Sequence, residues 1–483
     1  MMKKIVLRGL AISAIACISL PAASIGVNFS GISLQDTFNL GTGAVPPDMG
    51  MAVGPNQIVQ LINGGYQVYS RTGAAQGATV TDTAFWNNAG ISSSITNPGL
   101  SDPRVIYDPV SQRFFASEIN VSSTGNQALI AVSKTSNPLD GWNSVHFTSN
   151  TGFGDFPMLG IDKNAVYLST NNFTSDVGYF TGVSVFSIPK SDLLLSTPTV
   201  ANISSFQNLN ANVVGFGMNP AIDYGGSHGA LLAISNTTFN EAEYSTISGA
   251  SGPGAVLSAA TTLTGLSDGT PIAQRQPDGT RTVDGGDDRF GSSPFVVGNL
   301  LYATNTISDS NNGATATHDI VHWLIEDLTT KSVLVQGMVS DAAYDYTYSS
   351  IAANANGDFV LAFNRSGAGT DGNISALAEV CHFNGTTASC ESPLVLKAGE
   401  AGNYQLGSSV RWGDYSAIAI DPNDSNSFWA SLEVPVVIPD SGTYWGTQIT
   451  QLTLTDTPEP GTFVMLAGAF GALLGWKRRK IQN

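Results

Sequence analysis

The chain has 483 residues, with 20 Lys+Arg against 37 Asp+Glu, and only 12% of it is charged, about half the usual share of roughly 25%. Three basic residues fall in 1–24, and four more fall in 457–483 beside a lone Glu459; the 13 basic and 36 acidic residues between them leave a net charge of −23. That balance excludes nucleic acid and anionic lipid surfaces as partners and suits a soluble protein outside the cell.

Residues 1–24 begin with Lys3, Lys4 and Arg8, run apolar from Leu10 to Leu20, and end in Pro21-Ala22-Ala23-Ser24. This is the build of a secretory signal peptide, with cleavage expected after Ser24. Cys17 lies inside the apolar stretch and leaves with it. A lipoprotein would want Leu three residues before that cysteine, where Ala14 stands.

Between 25 and 456 long helical periodicity is absent. A hairpin recurs instead: an apolar strand, a turn rich in Asp, Asn, Gly or Pro, and a more apolar strand. Its copies cover 51–62, 105–116, 159–168, 221–234, 295–303, 351–363 and 417–432. Gly298-Asn299 and Asn356-Gly357 are two-residue turn dipeptides, which fix the hairpin register. Further strand-like sequence follows each copy, for example Val183–Ile188 and Ile320–Ile325. Four strands per unit, repeated seven times, predict an all-β fold: a single seven-bladed β-propeller. Two β-sandwiches in tandem are the other arrangement, but no linker divides 25–456. Ser248 to Arg281, rich in Gly, Ser and Thr, reads as a long loop between blades four and five. The last unit lacks a fourth strand, and Val27–Leu34 is an unassigned strand. Pairing the two would remove exposed sheet edges.

Several units start with charge at one end of the expected channel. Asp48, Asp102, Asp155 and Asp414 lie six or seven residues before a turn residue, Asp288 lies a little further back, and Arg104, Arg289 and Arg411 accompany them. These eight are candidate channel-mouth binding residues for a saccharide or a cation. The structural alternative is that the aspartates cap loops and pair with arginines to hold neighbouring blades. Asp284-Gly-Gly-Asp287-Asp288 is a candidate Ca²⁺ loop without a full ligand spacing; otherwise no metal and no cofactor are expected. His318 and His322 stand four apart on one strand, too few for a metal site. No Gly-x-Ser-x-Gly, His-Glu-x-x-His or phosphate loop is present. The Ser-x-Asp-x-Gly-x-x-Trp turn of sialidases is missing too, so no catalytic residue is assigned. Cys381 and Cys390 enclose a turn sequence, and in an exported chain they read as a disulfide across a hairpin.

The tail reads Thr457-Pro-Glu-Pro-Gly, then apolar from Phe463 to Trp476, then Lys477-Arg-Arg-Lys480. The prolines cannot continue a helix and present Glu459 on extended backbone. The basic cluster keeps the far end cytoplasmic. The 14-residue apolar run is shorter than the roughly 20 residues that span a bilayer. Pro458, Glu459 and Pro460, with Arg478 and Arg479, resemble the PEP-CTERM sorting signal of Gram-negative bacteria, although Thr457 stands where that family often has Val. The resemblance implies recognition by an exosortase, a membrane contact only through a transmembrane helix at 463–476, and release to the outer envelope or the extracellular space. The body resembles uncharacterised bacterial surface β-propellers, through Pro46-Pro47-Asp48 and Arg411-Trp412-Gly413-Asp414-Tyr415.

The expected organisation is a signal peptide (1–24), a propeller closed by an N-terminal strand (25–456) and a sorting signal (457–483). The expected function is a monomeric, non-catalytic binding or structural module for exopolysaccharide. The alternative is a glycan-cleaving enzyme, sialidase-like or another glycosidase, on the same scaffold.

Overall fold

A computed structural model of the chain describes residues 22–279, 282–311, 315–405 and 410–455. The signal peptide falls almost wholly outside them, and the sorting motif with its apolar run falls entirely outside. No described helix is long and apolar enough to cross a membrane.

Seven antiparallel sheets are arranged as blades around one channel. Their inner strands are Gly50–Val53, Leu100–Asp108, Phe153–Ile161, Phe216–Pro220, Phe295–Val297, Tyr344–Ala353 and Ala417–Asp421. Neighbouring inner strands pack side by side from blade one to four, from five to seven, and from seven back to one, and Ile222 joins blade four to five, so the ring closes. Ile222 bridges in parallel to Ile161 on one side and Phe295 on the other, which ties blades three, four and five directly at the channel.

Apolar runs dominate the inner and second strands because neighbouring blades cover both faces. Tyr302, Trp323, Tyr346, Phe359 and Phe363 form one such layer between blades five and six. Burying a large apolar side chain is worth roughly 1.5–3 kcal/mol, so the interblade layers hold the ring.

Blade seven ends in the N-terminal strand: Ala22–Ser33 pairs with Gly442–Thr455 from Ala22↔Thr455 to Ser33↔Gly446. Ala22, Ala23 and Ser24 take part in this ladder, so a cut after Ser24 would trim its first three residues. Gln60 of blade one adds a clasp, accepting from the Ile32 amide and donating to Thr447.

Two expectations change. Blade one has three strands, Gly50–Val53, Gln57–Ile62 and Gly65–Ser70. The helix Asp82–Ala89 takes the outer place, capped by Thr81 and stopped by left-handed Gly90. Its Phe85 stacks on Tyr66 at 4.4 Å and meets Trp142 at 5.2 Å. The stretch 248–281 is not one loop either. Val256–Leu257 and Thr261–Thr264 are outer strands of blade four, pairing with Glu241–Ser248. The crossing to blade five starts after them, as a strap. The strap is pinned to blade six by Arg275, whose Nε and Nη2 donate to both oxygens of Asp345. Gln276 also exchanges two hydrogen bonds with the backbone of Tyr404.

Cys381 and Cys390 stand opposite each other in a hairpin and are bonded.

Candidate functional site

The inner strands start alike. In blades two, three, four and six a bulge interrupts the first turn of the ladder. Each bulge holds a left-handed residue: Asp102 (φ 62°), Phe156 (φ 53°), Gly217 (φ 62°) and Tyr348 (φ 53°), and Asp48 (φ 46°) is the counterpart in blade one. A non-glycine residue there is strained by roughly 1–3 kcal/mol, and a bulge re-aims its side chain. All five stand six residues before their turn residues 54, 108, 162, 223 and 354, and Gly291 and Tyr415 keep the same spacing before 297 and 421. The repeat therefore has one register. Asp155 and Asp414 sit one position before it, which is why they looked shifted in the sequence.

Aspartates cap loops at both ends of the channel: at the mouth Asp284 accepts the Gly286 amide and Asp287 that of Arg289, and at the other end the turn aspartates do the same. Asp108 accepts the amides of Val110 and Ser111, Asp162 those of Asn164 and Ala165, and Asp421 that of Asn423. The aspartates at the bulge end also meet arginines and a chamber.

There, a polar chamber of about 470 Å³ is lined by Asp48, Asp102, Asp155, Arg289, Arg411 and Asp414 of the expected set, with Asp284 and Asp287 added by the strap. Arg104 and Asp288 are not among its lining residues. Arg104 is buried beneath, its guanidinium 3.3 Å from the centre of the Tyr415 ring. Asp288 turns its carbonyl to Asn305 instead. The chamber floor is a stack: Arg289 over Phe156 at 3.8 Å, Phe156 against Tyr415 at 4.9 Å, and Arg104 under Tyr415. The Tyr415 hydroxyl donates to Asp102 Oδ2 at 2.6 Å and locks the stack to the wall. Below it the channel is largely apolar, lined by Met51, Val105, Ile106, Ile222 and Ile418.

The chamber acids differ in their surroundings. Asp48 receives Asn63 Nδ2 and the Asp414 amide, both at 2.8 Å. Burial, followed by the charges of Asp414 and Asp102, raises it well above the usual carboxylate range. Burial, with Asp102 beside it, pushes Asp155 up to about 7. Asp414 is lifted by burial to about 6 against the pull of Arg411 and Arg289, and it accepts from Arg411 Nη2 at 3.0 Å. Asp287 pairs with Arg289 Nε at 2.6 Å. Behind the wall, the Gly413 amide donates to buried Glu433 Oε2 at 2.7 Å, which fixes the loop carrying Asp414.

The candidate calcium loop does not converge. Among the described residues, the one His, Cys, Asp or Glu group close enough to share an ion is Glu379 with Cys381 and Cys390, whose sulfurs the disulfide consumes. Asp284 and Asp287 face Arg411 and Arg289 instead. His318 and His322 make separate bonds, to Ser340 and to Asn305 and Gln336.

No protein-family profile matches the chain, and no curated protein matches it in sequence. Solved structures do. An exo-1,5-α-L-arabinanase from a bovine ruminal metagenomic library is 11% identical, with 72% of this chain and 97% of that chain covered and a TM-score of 0.34. An endo-arabinase from Bacteroides thetaiotaomicron is 10% identical, with 74% and 94% covered and a TM-score of 0.32. An exo-β-1,3-galactanase from Clostridium thermocellum is 11% identical, with 89% and 100% covered and a TM-score of 0.31. These neighbours are glycan-cleaving enzymes, so the expectation of a non-catalytic binding or structural module gives way to its glycan-cleaving alternative. The mouth acids share one chamber, where Asp414 pairs with Arg411 and Asp287 with Arg289.

Proposed function

We propose that the chain is an exported hydrolase that cleaves glycosidic bonds in the chamber. One observation carries this reading: Asp155 and Asp414 line one chamber in unlike settings, Asp155 raised by burial with Asp102 beside it, Asp414 raised by burial but accepting from Arg411 Nη2 at 3.0 Å and facing Arg289. Glycoside hydrolysis needs such a pair, one carboxyl to protonate the leaving oxygen and one carboxylate to act on the anomeric side. Asp155 gives its proton to the glycosidic oxygen as the C–O bond breaks. Asp414 either takes a proton from the attacking water or attacks the anomeric carbon itself; the anomer first released distinguishes the two. Asp102 and Asp48 bind sugar hydroxyls, and Arg289 and Arg411 hold Asp287 and Asp414 in place. No step is routed through a metal or cofactor.

The test is release of reducing ends from arabinan, galactan, xylan and dextran by the purified protein and its D155N and D414N variants. Hydrolysis of one polymer, reduced about 10²–10⁴-fold in D155N, supports the reading. Full activity in both variants, or no hydrolysis of any polymer, overturns it.

The same proposal places the protein outside the inner membrane as a monomer. The support is the basic–apolar start at 1–24 and the tail, in which Pro458, Glu459 and Pro460 precede an apolar run and Arg478-Arg479. An exosortase would be the partner that reads Glu459. Intact mass of the extracellular form tests this: residues 463–480 still attached to freely soluble protein would contradict it.

A further inference from the structure

Glu433 is not among the residues that line the chamber. It lies on the strand Asp424–Ile438 of blade seven, between the core residues Leu432 and Val434, and is 2% exposed. One of its oxygens, Oε1, has no hydrogen-bond partner. A buried carboxyl that is half-satisfied lowers stability, so its place is explained by what the other oxygen does. Burial holds the group well above the usual carboxylate range, against the pull of a hydrogen bond from Gly413.

That second oxygen, Oε2, takes the Gly413 amide at 2.7 Å, and the next amide, of Asp414, goes to Asp48 Oδ1 at 2.8 Å. Two successive amides are therefore held by two carboxyls, one from blade seven and one from the start of blade one. The fit leaves no space for a side chain: a methyl group at Gly413 would lie 2.9 Å from Glu433 Oε2 and 3.5 Å from Asp48 Oδ1. The residue before is tied to the same strand. Trp412 Nε1 donates to Asn364 Oδ1 at 3.1 Å, and Asn364 Nδ2 donates to the Glu433 carbonyl at 2.9 Å. The seam between blades seven and one is fastened beside this point, because Glu433 pairs across the ladder with Thr447, which accepts from Gln60 of blade one.

We propose that Glu433 is a positioning residue for the hydrolysis: with Asp48 it clamps the Gly413–Asp414 peptide and so sets where the Asp414 carboxylate stands relative to the anomeric carbon. It acts through Asp414 and touches no sugar. The inference rests on the glycan-cleaving reading for the role of Asp414. A displacement of about 1 Å in a reacting group costs roughly 10²-fold in rate, so the grip on these two amides bears on turnover as well as on the fold.

The experiment compares parent, E433L, E433Q and G413A on the polymer that the parent cleaves, together with hydrogen exchange of the segment 410–416. Leucine removes an unpartnered oxygen and leaves the Gly413 amide unpartnered, two changes that oppose each other, so the melting temperature stays near the parent's. The expected kcat of E433L is about 10²-fold lower with KM unchanged, and G413A shows the same split. E433Q, whose amide oxygen still accepts from Gly413, recovers the rate. The segment exchanges about tenfold faster in E433L than in parent or E433Q. The parent's kcat in E433L, or E433Q as slow as E433L, overturns the clamp while leaving the proposed hydrolase standing. If E433L does not fold, G413A decides in its place, and the parent's kcat there overturns the clamp. Equal exchange in parent and E433L overturns it as well, whatever the activity. A parent that cleaves no polymer overturns the hydrolase and with it the role of Asp414.

Discussion

Glu326 offers a sharp stability prediction. It lies on the strand Asp319–Asp327 of blade five, fully buried, and neither carboxyl oxygen has a hydrogen-bond partner. Burial lifts it from 4.5 to about 8, against a small pull from Lys331. The folded state therefore holds a proton that the unfolded state has released between those two values. Its contribution to stability is present below pH 4.5, declines as pH rises through the window, and is flat above about 8. From pH 5 to the folded value of about 8 is three pH units at about 1.4 kcal/mol each, so the pH-dependent loss is about 4 kcal/mol. Other acids titrate in the same direction, including Asp319 at about 8 and Glu379 at about 7, so the parent alone cannot isolate it. Urea unfolding of parent and E326Q at pH 5 and pH 9 does. The variant's absolute stability is not the readout; the expected outcome is that the parent loses about 4 kcal/mol more than E326Q between the two pH values. Parallel losses would refute the reasoning and show that Glu326 is ionised or solvated in the fold.

Two further outcomes concern the ends and the disulfide. Removing residues 25–33 takes away most of the outer strand of blade seven, so the whole domain should melt earlier in one transition; a melting curve like the parent's would mean that the ring does not depend on this closure. Replacing Cys381 and Cys390 by Ala opens a loop with a sequence separation of nine, which should cost about 2–3 kcal/mol in urea unfolding; an unchanged midpoint would contradict that.

The propeller was legible because hairpin turn chemistry is local. Asp108, Asp162 and Asp421 accept amides two or three residues away, and such turns repeat visibly along a chain. Blade one was not legible in full, because an amphipathic helix carrying Phe85 and Trp86 replaces a strand only when Tyr66 and Trp142 are there to meet it. The mouth was half legible. Asp48, Asp102, Asp155 and Asp414 follow the repeat, but the aromatic members Phe156 and Tyr415 read as core residues. The constant six-residue spacing to the turn would have exposed them. Arg289 and Arg411 were in the expected set too, but Asp284 and Asp287 reach the chamber on a strap that is pinned to blade six through Arg275 and Asp345. No local pattern encodes that pairing across 70 residues. The acidity of Asp155 is likewise a product of burial and of Asp102, which only the closed ring brings near.

The central claim is most directly tested by the pH dependence of glycan hydrolysis in parent and D155N. With Asp155 as proton donor, kcat/KM should fall on the alkaline side with a midpoint near the value of about 7 that burial gives it, and D155N should lose that limb along with about 10²–10⁴-fold of the rate. A rate that stays level through pH 7 to 9, or a D155N variant with the parent's rate and profile, would contradict the account.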